Sequence, residues 1–229
     1  MSKIALSGDA SGTGTFTIAS PNSNSNFTLT LPQATTTVVG TDATQTLTNK
    51  TLTSPTITGA NMSSMASSVI TAATSQASTS GTSIDFTGIP SWVKRITVMV
   101  NGVSTNGSSG TITRLGTSGG VVSSGYNSAV SIIAAANNTT RLSRVTSAFP
   151  LMWADNASYL IYGNIVFTNL TGNTWTASGV LWQDQGGADA HTIHVAGAIA
   201  LSGTLDRVRI TTVNGTDTFD AGSINILYE

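Results

Sequence analysis

Two segments near the start of the chain alternate apolar and polar residues with a period of two. Phe16 and Ile18 alternate with Thr15 and Thr17, and Phe27, Leu29 and Leu31 alternate with Thr28 and Thr30. That period turns one face of a strand toward an apolar environment and predicts extended structure. The turn formers Ser20-Pro21-Asn22-Ser23-Asn24-Ser25 separate the two runs. A third extended run, 35–39, ends at Gly40, and Thr-Leu-Thr occurs at 46–48 and again at 51–53. Threonine is stiff at χ1 and favours extended backbone, so residues 1–60 predict a thin β segment. Its large apolar side chains are too few to close a core. Phe16, Ile18, Phe27, Leu29 and Leu31 are therefore expected to pack against copies of the same chain.

The period changes over 61–78. Met62, Met65, Val69 and Ala72 follow a and d heptad spacing, which predicts a short helix packing through Met62, Met65 and Val69. Six serines in this stretch disfavour a helix and leave a Ser/Ala linker as the alternative. From residue 79 strand patterns follow closely, at 84–86, 93–100, 110–115, 129–135, 141–147, 158–169, 173–183, 191–201, 207–213 and 223–228. Turn signals separate them at Asn101-Gly102, Thr105-Asn106-Gly107, Asn137-Asn138, Gly172-Asn173, Gly186-Gly187 and Asn214-Gly215. Many short strands broken by turns predict an antiparallel, jelly-roll-like β-sandwich. The expected fold is all-β, with an attachment or shaft segment at 1–60, a helix or linker at 61–78, and a sandwich at 79–229.

Composition narrows the function. The 229 residues have a net charge of −1 and only 8% charged side chains, about a third of ordinary usage. Glutamate occurs once, at Glu229, and lysine only at Lys3, Lys50 and Lys94, while serine and threonine make up about 30%. Nine cations do not form the dense basic face that nucleic acid requires. A chain without Glu and Lys builds no charge-laced coiled coil. Without cysteine there is neither a disulfide framework nor a thiolate metal site. No apolar window is long enough to span a membrane as a helix. Stability is expected to come from packing and assembly.

Candidate chemistry is sparse. A glycan-cleaving site needs two carboxylates flanking the bond, and the candidates are Asp155, Asp184, Asp189, Asp206, Asp217 and Asp220. Asp184 and Asp189 bracket a loop, and Asp217 and Asp220 bound a tight connection, contexts where aspartate commonly satisfies backbone donors. His191 and His194 stand three apart, so on one strand they project to opposite faces and do not chelate a metal together. No serine-hydrolase elbow, phosphate cradle or cofactor is expected. Trp92 opens a strong strand pattern and is expected in the core or an interface. Trp153, Trp175 and Trp182 lie near Asn156, Asp184 and Gln185. Indole rings beside amide and carboxylate groups suit a sugar, through stacking and hydrogen bonds to hydroxyls, although core filling occupies most tryptophans in β proteins. The candidate receptor-binding set is Trp153, Asn156, Trp182, Asp184 and Gln185.

Three stretches carry a resemblance. TFTIASPNSNSNFTLTLP and QTLTNKTLTSPTITG resemble the N-terminal and shaft segments of tailed-bacteriophage fibre proteins. GTSIDFTGIPSWVKRITVMVNGVSTNG, at 81–107, resembles the opening of a C-terminal domain on phage fibres, and LDRVRITTVNGTDTFDAGSINILYE, at 205–229, resembles its end. The resemblance implies a homotrimeric, non-enzymatic virion component made in a bacterial cytoplasm. Its N-terminal segment would dock on other virion proteins and its C-terminal domain would face outward, toward a host-surface polysaccharide. A capsid-decorating head fibre that stabilises the particle and a small depolymerase are the alternatives.

Overall fold

The computed structural model describes residues 11–15, 17, 19, 22–26, 28, 51, 53, 70–134, 139–152, 156–186 and 190–229. The chain divides into two compact units, Met1–Ala60 and Asn61–Glu229. In the first, Ser25 donates its backbone N–H to Ser23 Oγ at 3.1 Å, a local bond within the turn cluster. Phe16, Ile18, Phe27, Leu29, Leu31, Met62, Met65 and Val69, expected to pack copies together, lie outside the described residues.

The second unit is all-β and antiparallel, with no helix among the described residues. Its strands are β1 (Thr71–Ala72), β2 (Gln76–Ala77), β3 (Ser83–Thr87), β4 (Arg95–Thr105), β5 (Thr111–Thr117), β6 (Gly120–Val121) and β7 (Asn127–Ala134). They continue with β8 (Thr140–Val145), β9 (Phe149–Pro150), β10 (Leu160–Thr171), β11 (Thr174–Asp184), β12 (Ala190–Ala200), β13 (Leu205–Thr212) and β14 (Phe219–Tyr228). One sheet runs β1-β14-β4-β10-β11-β12-β7-β8, with β2 also on β14; the other runs β3-β13-β5-β6, with β9 on β5.

Period-two alternation decides which side chains are buried. Ile96, Val98, Ile165, Phe167, Leu181, Ile193 and Val195 of the larger sheet are buried, as are Ile84, Phe86, Leu115, Val208 and Ile210 of the smaller. All of them belong to a single hydrophobic cluster. Removing such side chains from water drives folding at about 25 cal/mol per Å² of apolar surface. Tyr126, Phe149 and Phe167 form an aromatic chain within it, at centroid spacings of 5.0 and 5.3 Å.

Two expectations are corrected. Asn101-Gly102 is no hairpin turn, because β4 continues through it to Thr105. Gly102, at φ +63°, is the extra residue of a bulge: Val103 pairs with Ile161 and Asn101 with the next residue, Tyr162. A bulge needs the same permissive residues as a turn, so the local signal does not separate them. On the other flank Gly222, at φ +91°, lies so near that an added Cβ would meet the Gly102 carbonyl. The proposed 61–78 helix also does not extend over its described part. Thr71 and Ala72 pair with Tyr228 and Leu227, and Gln76 and Ala77 with Ile224 and Ser223. The free edge of β14 offers ladder bonds that a Ser-rich segment with weak helix propensity takes up instead. The four two-residue strands β1, β2, β6 and β9 are too short to show any periodicity.

Tyr126 ties the smaller sheet to the loop before β7. Its hydroxyl accepts from Leu115 N–H at 2.9 Å and donates to Val122 carbonyl at 2.9 Å. Burial pushes its pKa up to about 12, opposed by the Leu115 hydrogen bond and by Arg114. Tyr126→Phe leaves two backbone groups unpaired and should cost about 1–3 kcal/mol in denaturant unfolding at neutral pH. The neutral phenol is favoured in the folded state. Wild-type stability should therefore hold below pH 10 and fall as pH rises from 10 toward about 12, a loss that Tyr126→Phe abolishes.

Candidate functional site

The larger sheet has one face in the core, and on the other stands its most exposed aromatic pair. Trp182 of β11 is directly paired with Tyr162 of β10, and both point away from the core. Their rings stack at 5.1 Å with 28° between planes, and Trp182 remains 45% exposed. The β4 bulge lies beside the pair. A Cβ at Gly102 would lie 3.6 Å from the Tyr162 hydroxyl, so the phenol ring rests over a backbone without a side chain. Gly102, Tyr162 and Trp182 thus form an aromatic platform near one end of the sheet.

The polar candidates gather at that same end. Leu160 pairs with Asp184, so the segment leading into β10, with Asn156, and the exit of β11 share this border. Asn156 Oδ1 accepts from Ser158 N–H and Oγ, both at 3.1 Å, which closes its own turn. Asp184 Oδ1 accepts from Gly186 N–H at 2.9 Å, leaving Oδ2 without a hydrogen bond among the described residues. Gln185 Nε2 lies 2.7 Å from His191 Nδ1 and donates to it when that nitrogen is unprotonated. Trp182 and Asp184 thus share strand parity on the outer side at this end, whereas Gln185 reaches His191 on the core side and Asn156 closes its own turn before β10. Trp153, Asp155 and Asp189 lie outside the described residues.

The other tryptophans separate. Trp175 is 4% exposed and part of the core cluster, because its parity along β11 is opposite to that of Trp182. It is therefore no sugar contact. Trp92 is 50% exposed, tilted against Tyr228 at 5.9 Å, and does not fill the core.

The remaining carboxylates hold the fold together. Asp206 pairs with Arg207 at 2.9 Å, and Asp217 accepts from Ser109 N–H at 2.9 Å and Asn214 Nδ2 at 2.6 Å. Asp220 accepts from the Ser104 hydroxyl. Asp85 takes Arg209 in a two-pronged ion pair that raises the guanidinium pKa further. His191 lies on the core side of β12 and His194 on the outer side, as their spacing requires. Among the described residues no group of three or more His, Asp or Glu could hold a metal. Gly116-Thr117-Ser118-Gly119-Gly120 matches G-x-S-x-G letter for letter, contrary to expectation. It forms the tight β5–β6 connection, not the strand-to-helix elbow that exposes a nucleophile.

Pattern reasoning missed Tyr162, Gly102 and Gln183. The first two depend on cross-strand register, which no single segment encodes. Gln183 sits between Trp182 and Asp184 on the core side, fully buried, with neither side-chain amide atom hydrogen-bonded among the described residues. An unpaired buried amide costs about 1–3 kcal/mol. Gln183→Met should therefore raise the thermal midpoint by about 2–4 °C, the shift for about 1 kcal/mol in a domain of this size.

Comparison with protein-family models, with curated proteins and with solved structures finds no match to this chain.

Proposed function

We propose that this chain is a structural fibre protein of a tailed-bacteriophage virion. Its N-terminal segment attaches to other virion proteins, and its C-terminal domain, a homotrimeric jelly-roll-like β-sandwich, adheres to a polysaccharide on the host surface. The observation that carries the adhesive role is the half-exposed Trp182 stacked on Tyr162 on the outer face of the larger sheet, with Asp184 at the same strand parity as Trp182. A flat aromatic face binds the apolar side of a sugar ring, and a neighbouring carboxylate accepts from its hydroxyls. The resemblance of 15–32, 45–59, 81–107 and 205–229 to phage fibre segments supports the virion assignment. The low charge supports it too, since a fibre neither grips nucleic acid nor needs a charged catalytic pocket.

The role is binding, without bond cleavage. In support, Asp206, Asp217 and Asp220 are each engaged by a neighbouring group within the fold. Asp184 spends one oxygen on its own loop. Replacing Trp182 with Ala should weaken adsorption of the purified protein to host cells at least tenfold, about 1.4 kcal/mol, whereas Trp92→Ala should leave it unchanged. Unaltered adsorption by the Trp182 variant, or shortened polysaccharide chains after incubation with the wild type, would overturn this reading.

A further inference from the structure

The larger sheet has a second face as wide as its buried one. Register aligns its outward residues in rows across six strands, from β14 to β7. Ser223, Asn101, Tyr162, Trp182, Thr192 and Ile133 form the row at the platform end. The next row is Asn225, Met99, Asn164, Val180, His194 and Ser131. The one after is Leu227, Thr97, Val166, Ser178, Ala196 and Ala129. A last row, Arg95, Thr168, Thr176, Ala198 and Asn127, closes the block. Arg95, at a corner, is the one formal charge among these positions. A solvated sheet face ordinarily carries polar and charged side chains, yet here Val180 is 54% and Ile133 48% exposed.

The two margins of this face differ in shape. Beyond β7, the edge strand β8 carries Leu142 outward, 77% exposed, beside Ser131 in the same row. At the opposite margin Ile70, Thr97, Leu227 and Tyr228 line a small hollow, with Arg95 and Glu229 at its side. A projecting apolar side chain at one margin and a hollow with an apolar wall of Ile70, Leu227 and Tyr228 at the other make a head-to-tail pair, and a threefold rotation closes such pairs into a ring.

We infer that this face is the contact between copies of the chain, with Leu142 of one copy seated in the Ile70–Leu227 hollow of the next. The inference rests on the trimeric fibre reading and names the surface that assembly uses. Six strands about 4.8 Å apart and four outward rows about 6.8 Å apart cover on the order of 800 Å², which a ring shares between the two neighbours of each copy. Its chemistry fits a second copy, because interface centres are depleted in charge and enriched in Met, and the middle rows carry Met99, Val180 and Val166 without a formal charge. The centre of the face carries no formal charge, and the charged groups Arg95, Glu229 and Arg144 lie at its margins. The Tyr162–Trp182 row lies at the end of the block, so the platform stands at the rim of the contact and remains open to a ligand.

The chain has no cysteine, so engineered pairs test the contact cleanly. Within one copy Leu142 and Leu227 lie on strands six spacings apart, about 29 Å. A disulfide, which needs Cα atoms within about 7 Å, can therefore join them only between copies. The full chain carrying both Leu142→Cys and Leu227→Cys should run as a covalent trimer on a non-reducing gel after mild oxidation, and each single variant as a monomer. Dimers from Leu142→Cys alone would show a face that meets itself and would overturn the head-to-tail contact. A wild type that assembles while the double variant never cross-links would overturn this surface and leave the fibre reading standing. A wild type that is itself monomeric would remove both.

Discussion

A strand sends successive side chains to opposite faces, and this constraint organises the whole second unit. Burying Ile96 and Val98 on β4, Ile165 and Phe167 on β10, Leu181 on β11 and Ile193 and Val195 on β12 closes one face of the larger sheet. It also forces Met99, Val166, Val180, Trp182 and His194 onto the other. The outer face is thus set by the same register that sets the core. A one-residue slip of β11 would put Trp175 outside and Trp182 inside, exchanging a core indole for a surface one. Bulges let the constraint bend locally. At Gly102 the extra residue shifts the ladder and leaves a side-chain-free patch for the Tyr162 ring.

How much of this is legible in sequence depends on the length over which a pattern repeats. The strands from β10 to β12 carry eleven or twelve residues each, and their alternation is plain in the residues themselves. β1 and β2 are fixed by the edge of β14, more than a hundred residues away in the chain, and the Met62–Ala72 spacing points to a helix that Thr71 and Ala72 do not join. The site shows the same division. Trp182, Asp184 and Gln185 are neighbours in sequence and readable as a group, yet Gln185 turns to His191 on the core side. Tyr162 becomes their partner only through the β10–β11 register, and Gln183 stands out only because its amide is buried without a partner. Trp175 and Trp182 look equivalent in composition and differ by strand parity.

The scarcity of charge connects fold to function. An ordinary surface uses Lys and Glu to stay solvated, and this chain has three of the first and one of the second. The described aspartates are used within turns and ion pairs: Asp217 holds Ser109 and Asn214, Asp85 holds Arg209, and Asp206 holds Arg207. What is left for the outer face of the larger sheet is mostly hydroxyl, amide, aromatic and aliphatic, with Arg95 at a corner and His194 within it. Such a surface suits neutral partners, whether a sugar ring at the Tyr162–Trp182 end or another copy of the chain across the remaining rows. The proposed particle component would assemble by these charge-poor faces and touch its host by stacking.

Assembly is the claim on which that account turns, and the mass of the purified chain in solution tests it most directly. Light scattering coupled to size exclusion should give close to three times the 23.3 kDa of one chain. A single species at the mass of one chain would contradict the account and remove the basis of the proposed fibre.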